Sequence, residues 1–484
     1  MILPVHARVR THLQHALTEA FGLEPASQPA IVIETPPRRA LGDLAVPVAF
    51  ELARQLRKAP RMIAQELAAK LGGVEGVDRV EAAPNGYLNF YLSRKAFVTA
   101  ELAAAGAAAR DTGRKIIVEH TAINPNKAAH LGHLRNAALG DTLVRLLRFQ
   151  GHRVEVQNYI DDTGVQVADV VVGFTALEGR DLAGVRALAD SADVRFDYYC
   201  WDLYAKVTEW YGTDKSHLEK RAEALHALEA GGNELAAIGE FVADRIVRTH
   251  LATMARLSVG YDLLTWEGDI LRLHFWTTAF ERLKATGAVF LQTEGRLKGC
   301  WVMPIDDPKS NDGNDGNDGN AGNEGNDEPD QREKVIVRSN GTVTYVGKDI
   351  ANQFWKYGLL GRDFHYRVFE ERGGRPIWAT SSHDSKATGV PAFGRADAVY
   401  NVIDSRQAYL QQLLKQALAT MGFQKEADSS THFSYEMVAL SLATARELGY
   451  DAADSDGKPF VEVSGRKGLG VKADDLLDRL IATA

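Results

Sequence analysis

The sequence predicts an α/β fold: a Rossmann-like, mainly parallel sheet carrying insertions, with a small α+β module ahead of it. The sheet is predicted first by the run from Ile116 to Ile160. IIVEH reads as a buried strand, His133–Gly151 as a long amphipathic helix, and Arg153–Ile160 as a second strand. Strand, helix and strand at that spacing make a parallel βαβ unit. The pattern returns at Ala398–Asp404, a strand followed by a helix over Ser405–Phe423, so the sheet resumes after a long insertion. The third observation is length: 484 residues exceed one ordinary core and imply two or three domains.

The first module is justified element by element. Val9–Phe21 has helical periodicity, and Ala45–Leu56 and Pro60–Leu71 read as two more helices, the latter with proline at its first position. Tyr87–Ser93 alternates as a strand after a Pro84-Asn85-Gly86 turn. Phe97–Ala109 is an alanine-rich helix, and Arg110–Lys115 reads as a boundary, which gives domains at 1–110 and 111–484.

In the larger domain, the turn at 161–164 lies at the carboxyl edge of the second strand, where open α/β sheets bind ligands, and leads into another helix. Residues from about 180 to 260 form a mostly helical insertion, and Trp266, Glu267 and Asp269 mark a junction after it. The Gly/Asn/Asp-rich stretch at about 306–330 has little to bury and reads as a disordered, solvated loop. Its acids lack the spacing of a calcium loop, so no metal is expected. Lys334–Ser339 and Thr342–Gly347 suggest an antiparallel hairpin around Asn340-Gly341, with a helix over Lys348–Leu360. The chain closes on a Gly- and Lys-rich loop and one short helix.

Composition narrows the function. With 56 Lys plus Arg against 64 Asp plus Glu, the formal charge is −8, so a nucleic acid partner needs a local basic patch. Arg54–Arg61, RQLRKAPR, is the compact basic stretch of the first module. Cys200 and Cys300 are the only cysteines, which excludes a cysteine-rich zinc site or a disulfide scaffold and fits a reducing compartment. There is neither a signal pattern nor an apolar run of membrane-spanning length, so a cytoplasmic protein with no membrane partner is expected.

The chemistry concentrates at His120–Asp141, HTAINPNKAAHLGHLRNAALGD. His130 and His133 stand at the turn from strand to helix, with Gly132 allowing close backbone approach and Asn124 and Lys127 ahead of them. A phosphate there gains helix-terminal amides, imidazole donors and the helix dipole. A surface histidine pair at a helix start is the alternative from spacing alone. A zinc site would need further ligands, and none is arranged nearby.

In this setting HLGH resembles the "HIGH" signature of class I aminoacyl-tRNA synthetases, and NPNKAAHLGHLRNAALGDTLVRLL resembles its arginyl-tRNA synthetase form. NYIDDTGVQ is similar to the family's segment ending in Gly-x-Gln, TVTYVGKDIA to its Tyr-x-x-x-Asp segment, and RRALGDLAVPVAFELAR with NGYLNFYLS to its additional N-terminal domain. The resemblance covers essentially the whole chain. It implies a class I synthetase catalytic domain that activates L-arginine with ATP, accompanied by Mg2+, and passes the arginyl group to the 3′ end of tRNA(Arg), with no tightly bound cofactor. His130 and His133 would contact ATP, with Lys127 and Gly132 beside the phosphates. Asp349 would bind the guanidinium, Tyr345 would pack against the substrate, and Asn124 would hold its amino end. Glu119, Gln407 and Gln411 are further pocket candidates, and the resemblance would put Trp266, Glu267 and Asp269 near the tRNA acceptor end or the active-site rim. Val463–Gly470, VSGRKGLG, resembles the mobile "KMSKS" loop, with Lys467 as its functional lysine and Arg466 and Gly468 beside it for pyrophosphate; Glu462 or Val463 stands where the first lysine would be.

The family continues past this second signature into a helical anticodon-binding domain, whereas only DDLLDRLIATA follows at the end of this chain. The expectation is an enzyme apparently lacking that domain, with a separate polypeptide as one possible source of it. The alternative is a truncated or paralogous protein that binds nucleotide or tRNA, or activates an amino acid for another acceptor, without efficient charging.

Overall fold

The computed structural model describes residues 2–104, 111–304, 333–339, 341, 343–436, 438–447, 460–462 and 470–483. The chain divides into two units, Met1–Ala108 and Ala109–Ala484.

The first unit builds on a long helix α1 (Ile2–Phe21), followed by β1 (Leu44–Val46), α2 (Val48–Leu56), α3 (Pro60–Lys70), β2 (Val77–Ala82), β3 (Leu88–Leu92) and α4 (Arg94–Ala104). Its antiparallel sheet has the order β1-β3-β2. The helix expected from Ala45 starts only at Val48, because Leu44–Val46 pairs with Leu88–Phe90 and Pro47 separates strand from helix. Val9, Leu13, Leu17, Leu52, Ile63, Leu67 and Phe90 close a core within this unit.

The second unit opens with β4 (Lys115–Glu119), α5 (Leu131–Phe149) and β5 (Arg153–Ile160). A helical group follows: α6 (Val165–Val172, continued by a π turn over Gly173–Leu177), α7 (Leu182–Ala189), α8 (Phe196–Thr213), α9 (Leu218–Ala230) and α10 (Glu234–Ala255). The chain then returns through β6 (Leu263–Trp266), α11 (Glu267–Arg272) and α12 (Phe275–Ala285). A small sheet follows from β7 (Phe290–Leu291), β8 (Trp301–Pro304) and β9 (Glu333–Val337). After it come α13 (Tyr345–Lys356), the hairpin β10 (His365–Arg372) and β11 (Arg375–Ser381), β12 (Ala398–Asp404), α14 (Ala408–Thr420), α15 (Gln424–Ser429) and β13 (Ser430–Tyr435). The last elements are β14 (Ala439–Ser441), α16 (Leu442–Glu447), β15 (Phe460–Glu462) and α17 (Ala473–Thr483).

The main sheet has seven strands in the order β10-β11-β6-β5-β4-β12-β13, parallel throughout except for the antiparallel β10–β11 edge. Ile116, Ile117 and Val118 are all buried, the continuous apolar run of a strand covered on both faces. Ile117 joins a core with α12, α13 and α14, while its neighbours Ile116 and Val118 join another with α5, α10 and α17, as the two-residue period of a strand requires. The helical group α6–α10 closes a core of its own.

The 161–164 turn follows β5 directly, at its carboxyl end as expected; the chain leaves β4 toward β5 on one side, while β12 and β13 lie on the other, so the topological switch point falls between β4 and β12. The expected hairpin at Asn340-Gly341 does not form as a pair of full strands among the described residues: β9 pairs with β8, Val343 makes an isolated bridge back to Val337, and Tyr345 already begins a helix. Thr344 precedes that helix in an extended conformation, and burial of Val346, Ile350, Ala351 and Phe354 at helical spacing outweighs the β propensity of TVTYV. Asn340, Thr342 and the acidic loop at about 306–330 lie outside the described residues. No helix among the described residues is long and apolar enough to cross a membrane.

Candidate active site at the carboxyl ends of the strands

HLGH forms the N-terminus of α5. His130 is the capping residue, with extended backbone, and its Nδ1 accepts the Gly132 N–H at 3.1 Å. In return the His130 N–H donates to His133 Nδ1 at 3.1 Å, so the two side chains satisfy donors that a helix start leaves unpaired. The rings stack with centroids 3.7 Å apart. A side chain at position 132 would bring its Cβ to 2.9 Å from His130 Cε1, which explains the glycine. Both Nδ1 atoms accept, so each ring, when neutral, carries its proton on Nε2. Burial, with the Lys127 charge nearby, pushes His130 down to about 3; burial and His130 hold His133 well below the ordinary histidine range. The pair is therefore a set of two neutral N–H donors at a helix N-terminus.

Lys127 does not point into solvent. It is buried, with Nζ 4.1 Å from the Tyr204 ring centroid and 5.4 Å from that of Trp201. His250 Nε2 lies 2.7 Å from the Lys127 carbonyl oxygen, and burial pushes that imidazole down to about 4, so the neutral ring donates there. The chain's last segment reaches the same place. Leu131 donates to the Val471 carbonyl at 3.0 Å and Ala473 to the Ala129 carbonyl at 2.8 Å. Asp474 fastens α17 by accepting from Arg195 at 2.9 Å, Arg256 at 2.7 Å and Thr253 at 3.1 Å. Arg466, Lys467 and Gly468 lie outside the described residues.

Beyond the carboxyl ends of β5 and β6 lies a dense group of acids. Glu267 accepts from Lys348 Nζ at 2.7 Å, Thr163 Oγ1 at 2.7 Å and the Tyr159 hydroxyl at 3.0 Å. Burial works against its charge, yet Lys348 and these bonds hold its carboxyl below the usual range. Asp161 is pushed far up by burial and by Glu267, and its buried Oδ1 has no hydrogen-bond partner. Asp162 accepts the Gly268 N–H at 2.8 Å and is pushed up to about 7 by burial. Asp349, half-buried on the first turns of α13, is pushed up to about 8 by burial, then by Glu267 and Glu119, against the pull of Lys356 and Lys348. Among the described residues, no hydrogen bond or ion pair engages its carboxyl. Tyr345 is one helical turn before it, half-buried against the core of α12–α14.

Glu119, at the end of β4, pairs with the fully buried Lys356 at 2.8 Å. Lys356 continues to Asn401 at 3.1 Å, and Asn401 donates to Gln411 Oε1 at 2.8 Å. Glu119 and Gln411 are thus the two ends of one buried chain under the switch point. Gln407 is half-buried at the N-terminus of α14, and Asn124 is half-buried in the loop from β4.

Asp161, Lys348, Lys356, Asn136, Asn158 and Asn401 carry no local sequence signature yet join the site through long-range contacts. Lys348 was visible as the neighbour of Asp349, but its partner is 81 residues away in sequence. Glu267, at the insertion junction, is the first residue of α11 directly after β6 and is buried with Lys348. No group of three or more His, Cys, Asp or Glu able to hold a metal occurs among the described residues.

A mostly parallel sheet, with the histidine signature after its first strand and a Tyr-x-x-x-Asp helix whose lysines pair with acids at the carboxyl ends of β6 and β4, defines a class I aminoacyl-tRNA synthetase catalytic domain. Comparison with known proteins narrows the class. The family described as "Arginyl tRNA synthetase N terminal domain" matches residues 7–92, and "tRNA synthetases class I (R), catalytic domain" matches 97–369. The arginine–tRNA ligase of Thermococcus kodakarensis is 34% identical across 99% of this chain and 71% of that protein. That of Deinococcus radiodurans is 35% identical across 97% and 68%. The solved Thermus thermophilus arginyl-tRNA synthetase superposes with a TM-score of 0.69 at 31% identity, over 97% of this chain and 68% of that one. The chain belongs to the arginyl-tRNA synthetase family.

Proposed function

We propose that this protein activates L-arginine with ATP and transfers the arginyl group to the 3′ end of tRNA(Arg). The observation that carries the substrate is Asp349: a carboxyl in a crowded acidic recess, with no cation bonded to it among the described residues. A guanidinium supplies the missing charge and a planar fork of donors. Tyr345 flanks it, Asn124 takes the amino end, and Gln407 lines the rim. Glu119 contributes its uncommitted oxygen, and Gln411 acts through the chain to Lys356.

In the first step the arginine carboxylate attacks the α-phosphorus of ATP, and the bond to the β-phosphate oxygen breaks, giving arginyl-adenylate and pyrophosphate. The two Nε2–H donors of His130 and His133, together with the dipole of α5, stabilise the charge that builds on the phosphoryl oxygens. Gly132 keeps that approach open. Lys127 adds its charge behind the rings, and Arg466, Lys467 and Gly468 take the pyrophosphate; the pairing of Val471–Ala473 with Ala129–Leu131 supports that role by holding the end of their segment beside the signature. Mg2+ travels with the triphosphate, as this ion commonly does, keeping much of its water shell. In the second step a terminal hydroxyl of tRNA attacks the activated carbonyl and AMP leaves. Arg54–Arg61 supplies tRNA contact from the first unit, and the setting is the cytoplasm.

Labelled arginine incorporated into acid-precipitable tRNA tests the full reading. Incorporation dependent on ATP and on tRNA(Arg) is expected. Arginine-dependent pyrophosphate exchange without incorporation would restrict the protein to the first step and favour another acceptor.

A further inference from the structure

Immediately after β4 the backbone enters a conformation that ordinary residues avoid. Thr121 has φ 76° and Ala122 φ 40°, two consecutive non-glycine residues in the left-handed region. The Ala122 N–H donates to the His120 carbonyl at 3.1 Å. A bond from residue i to i+2 across a positive φ is the rare, strained form of γ-turn, and a β-branched residue makes it less favourable still. Such a turn persists only where its surroundings over-determine it.

Two amide side chains do so here. Asn136 Oδ1, from α5, accepts the Thr121 N–H at 2.7 Å, and Asn158 Oδ1, from β5, accepts the Ala122 N–H at 2.9 Å. Asn136 is itself fixed, because its Nδ2 donates to the Val402 carbonyl at 2.9 Å and to the Tyr435 hydroxyl at 3.1 Å. One side chain thus ties the signature helix, the strained turn, β12 and β13 together. Thr121 Oγ1 lies between His120 Nδ1 at 2.8 Å and the Tyr261 hydroxyl at 2.7 Å. The His120 ring occupies the space left by Gly140, where a Cβ would come within 2.3 Å of it. Asn136 and Asn158 are 4% and 2% exposed, so neither is available to bind a substrate directly. Only Ile123 separates the turn from Asn124.

We propose that Asn136 and Asn158 are positioning residues: their oxygens hold the strained Thr121–Ala122 turn and so aim Asn124 and the segment into HLGH at the substrate. This rests on the arginine-activating reading, and its function is placement rather than stability. If the amides serve the strained backbone, glycine at the strained position replaces part of their effect, since glycine adopts positive φ without steric cost. A side chain that only filled space would gain nothing from that change.

The test uses the full chain. Asn158→Ala is expected to raise the KM for arginine in pyrophosphate exchange about 10- to 100-fold, the scale of a small misplacement of a reacting group. The double variant Asn158→Ala with Ala122→Gly is expected to recover most of that loss, and Ala122→Gly alone to change little. An unchanged KM in folded Asn158→Ala, or no recovery with glycine, would overturn the proposal. Amide hydrogen exchange at residues 120–124 reads the turn independently of activity. Protection in the wild type that is lost in Asn158→Ala supports it, even if no arginine-dependent exchange occurs and the functional reading fails. Equal exchange in both proteins would overturn it. Should Asn158→Ala not fold, the same measurements are made on Asn136→Ala with and without Thr121→Gly. Unfolding of both, without recovery by glycine, would assign the amides to folding and overturn the proposal too.

Discussion

His130 and His133 owe their chemical state to burial and to the backbone amides they cap. Each Nδ1 is occupied by a backbone N–H, so protonating either ring would break a cap as well as place a charge beside Lys127. Replacing either with alanine removes a donor and half of the reciprocal cap. Exchange is expected to fall on the order of 10²–10³-fold, the usual effect of losing one preorganised donor to a developing oxyanion. Steady-state rates at saturating ATP check this, with a loss under tenfold counting against the assignment. Asp349 gives a pH signature. Its folded-state value of about 8 lies above the ordinary 3.8, so burial and the neighbouring acids keep this carboxyl protonated at neutral pH and folding takes up a proton. A bound guanidinium requires the carboxylate. Arginine affinity is therefore expected to rise with pH up to about 8 and then level off. Titration calorimetry in buffers of different ionisation enthalpy should show proton release on binding below that pH. Asn at this position removes both the affinity and the pH dependence. It also removes the cost of folding an acid above its unfolded value, a cost that grows from pH 3.8 toward 8, so the variant should melt higher at pH 7.

At the scale of elements, α13 and α17 do different work. Helix α13 carries Tyr345, Lys348, Asp349, Asn352 and Lys356 in consecutive turns, which sets the guanidinium candidate between two buried lysines paired with Glu267 and Glu119. Lys348→Met would leave Glu267 and Asp161 buried without their cation. A loss of about 3–5 kcal/mol by denaturant unfolding is expected, since breaking one side of a buried pair exposes the whole desolvation penalty of the other. Helix α17 docks through Asp474, which joins Arg195 on α8's start to Arg256 at the end of α10. Those arginines are partly exposed, so Asp474→Ala is expected to cost only on the order of 1–2 kcal/mol. Because α17 follows directly on the strand-like bridge between Lys472 and His130, hydrogen exchange should rise at both 129–131 and 470–473 in that variant. A rise confined to α17 would show that the tail and the signature are uncoupled.

At the scale of the molecule, the cores of the two units share no residue, so residues 109–484 alone are expected to retain arginine activation. Much of this architecture was legible in the sequence. The βαβ unit from Ile116, the helical insertion and the strand at Ala398 were visible because their periodicity is long and bounded by Gly or Pro. Four strands of the main sheet escaped: LLTW at Leu263 is too short for its period to be read, and the hairpin strands β10 and β11 around Gly373-Gly374 and the edge strand at Ser430–Tyr435 carry many polar residues. Within the site, HLGH and Tyr345/Asp349 were local patterns. The bonds from Asn136 to Val402, from Glu267 to Lys348 and from Lys356 to Asn401 were not, because their partners come together only through the sheet order.

If the acids around Asp349 select arginine for adenylation, pyrophosphate exchange into ATP, run with each amino acid in turn and both with and without total tRNA, gives a signal for arginine that depends on the Asp349 carboxyl. No arginine signal above background in either condition, or an equal signal from another amino acid, would overturn that selection.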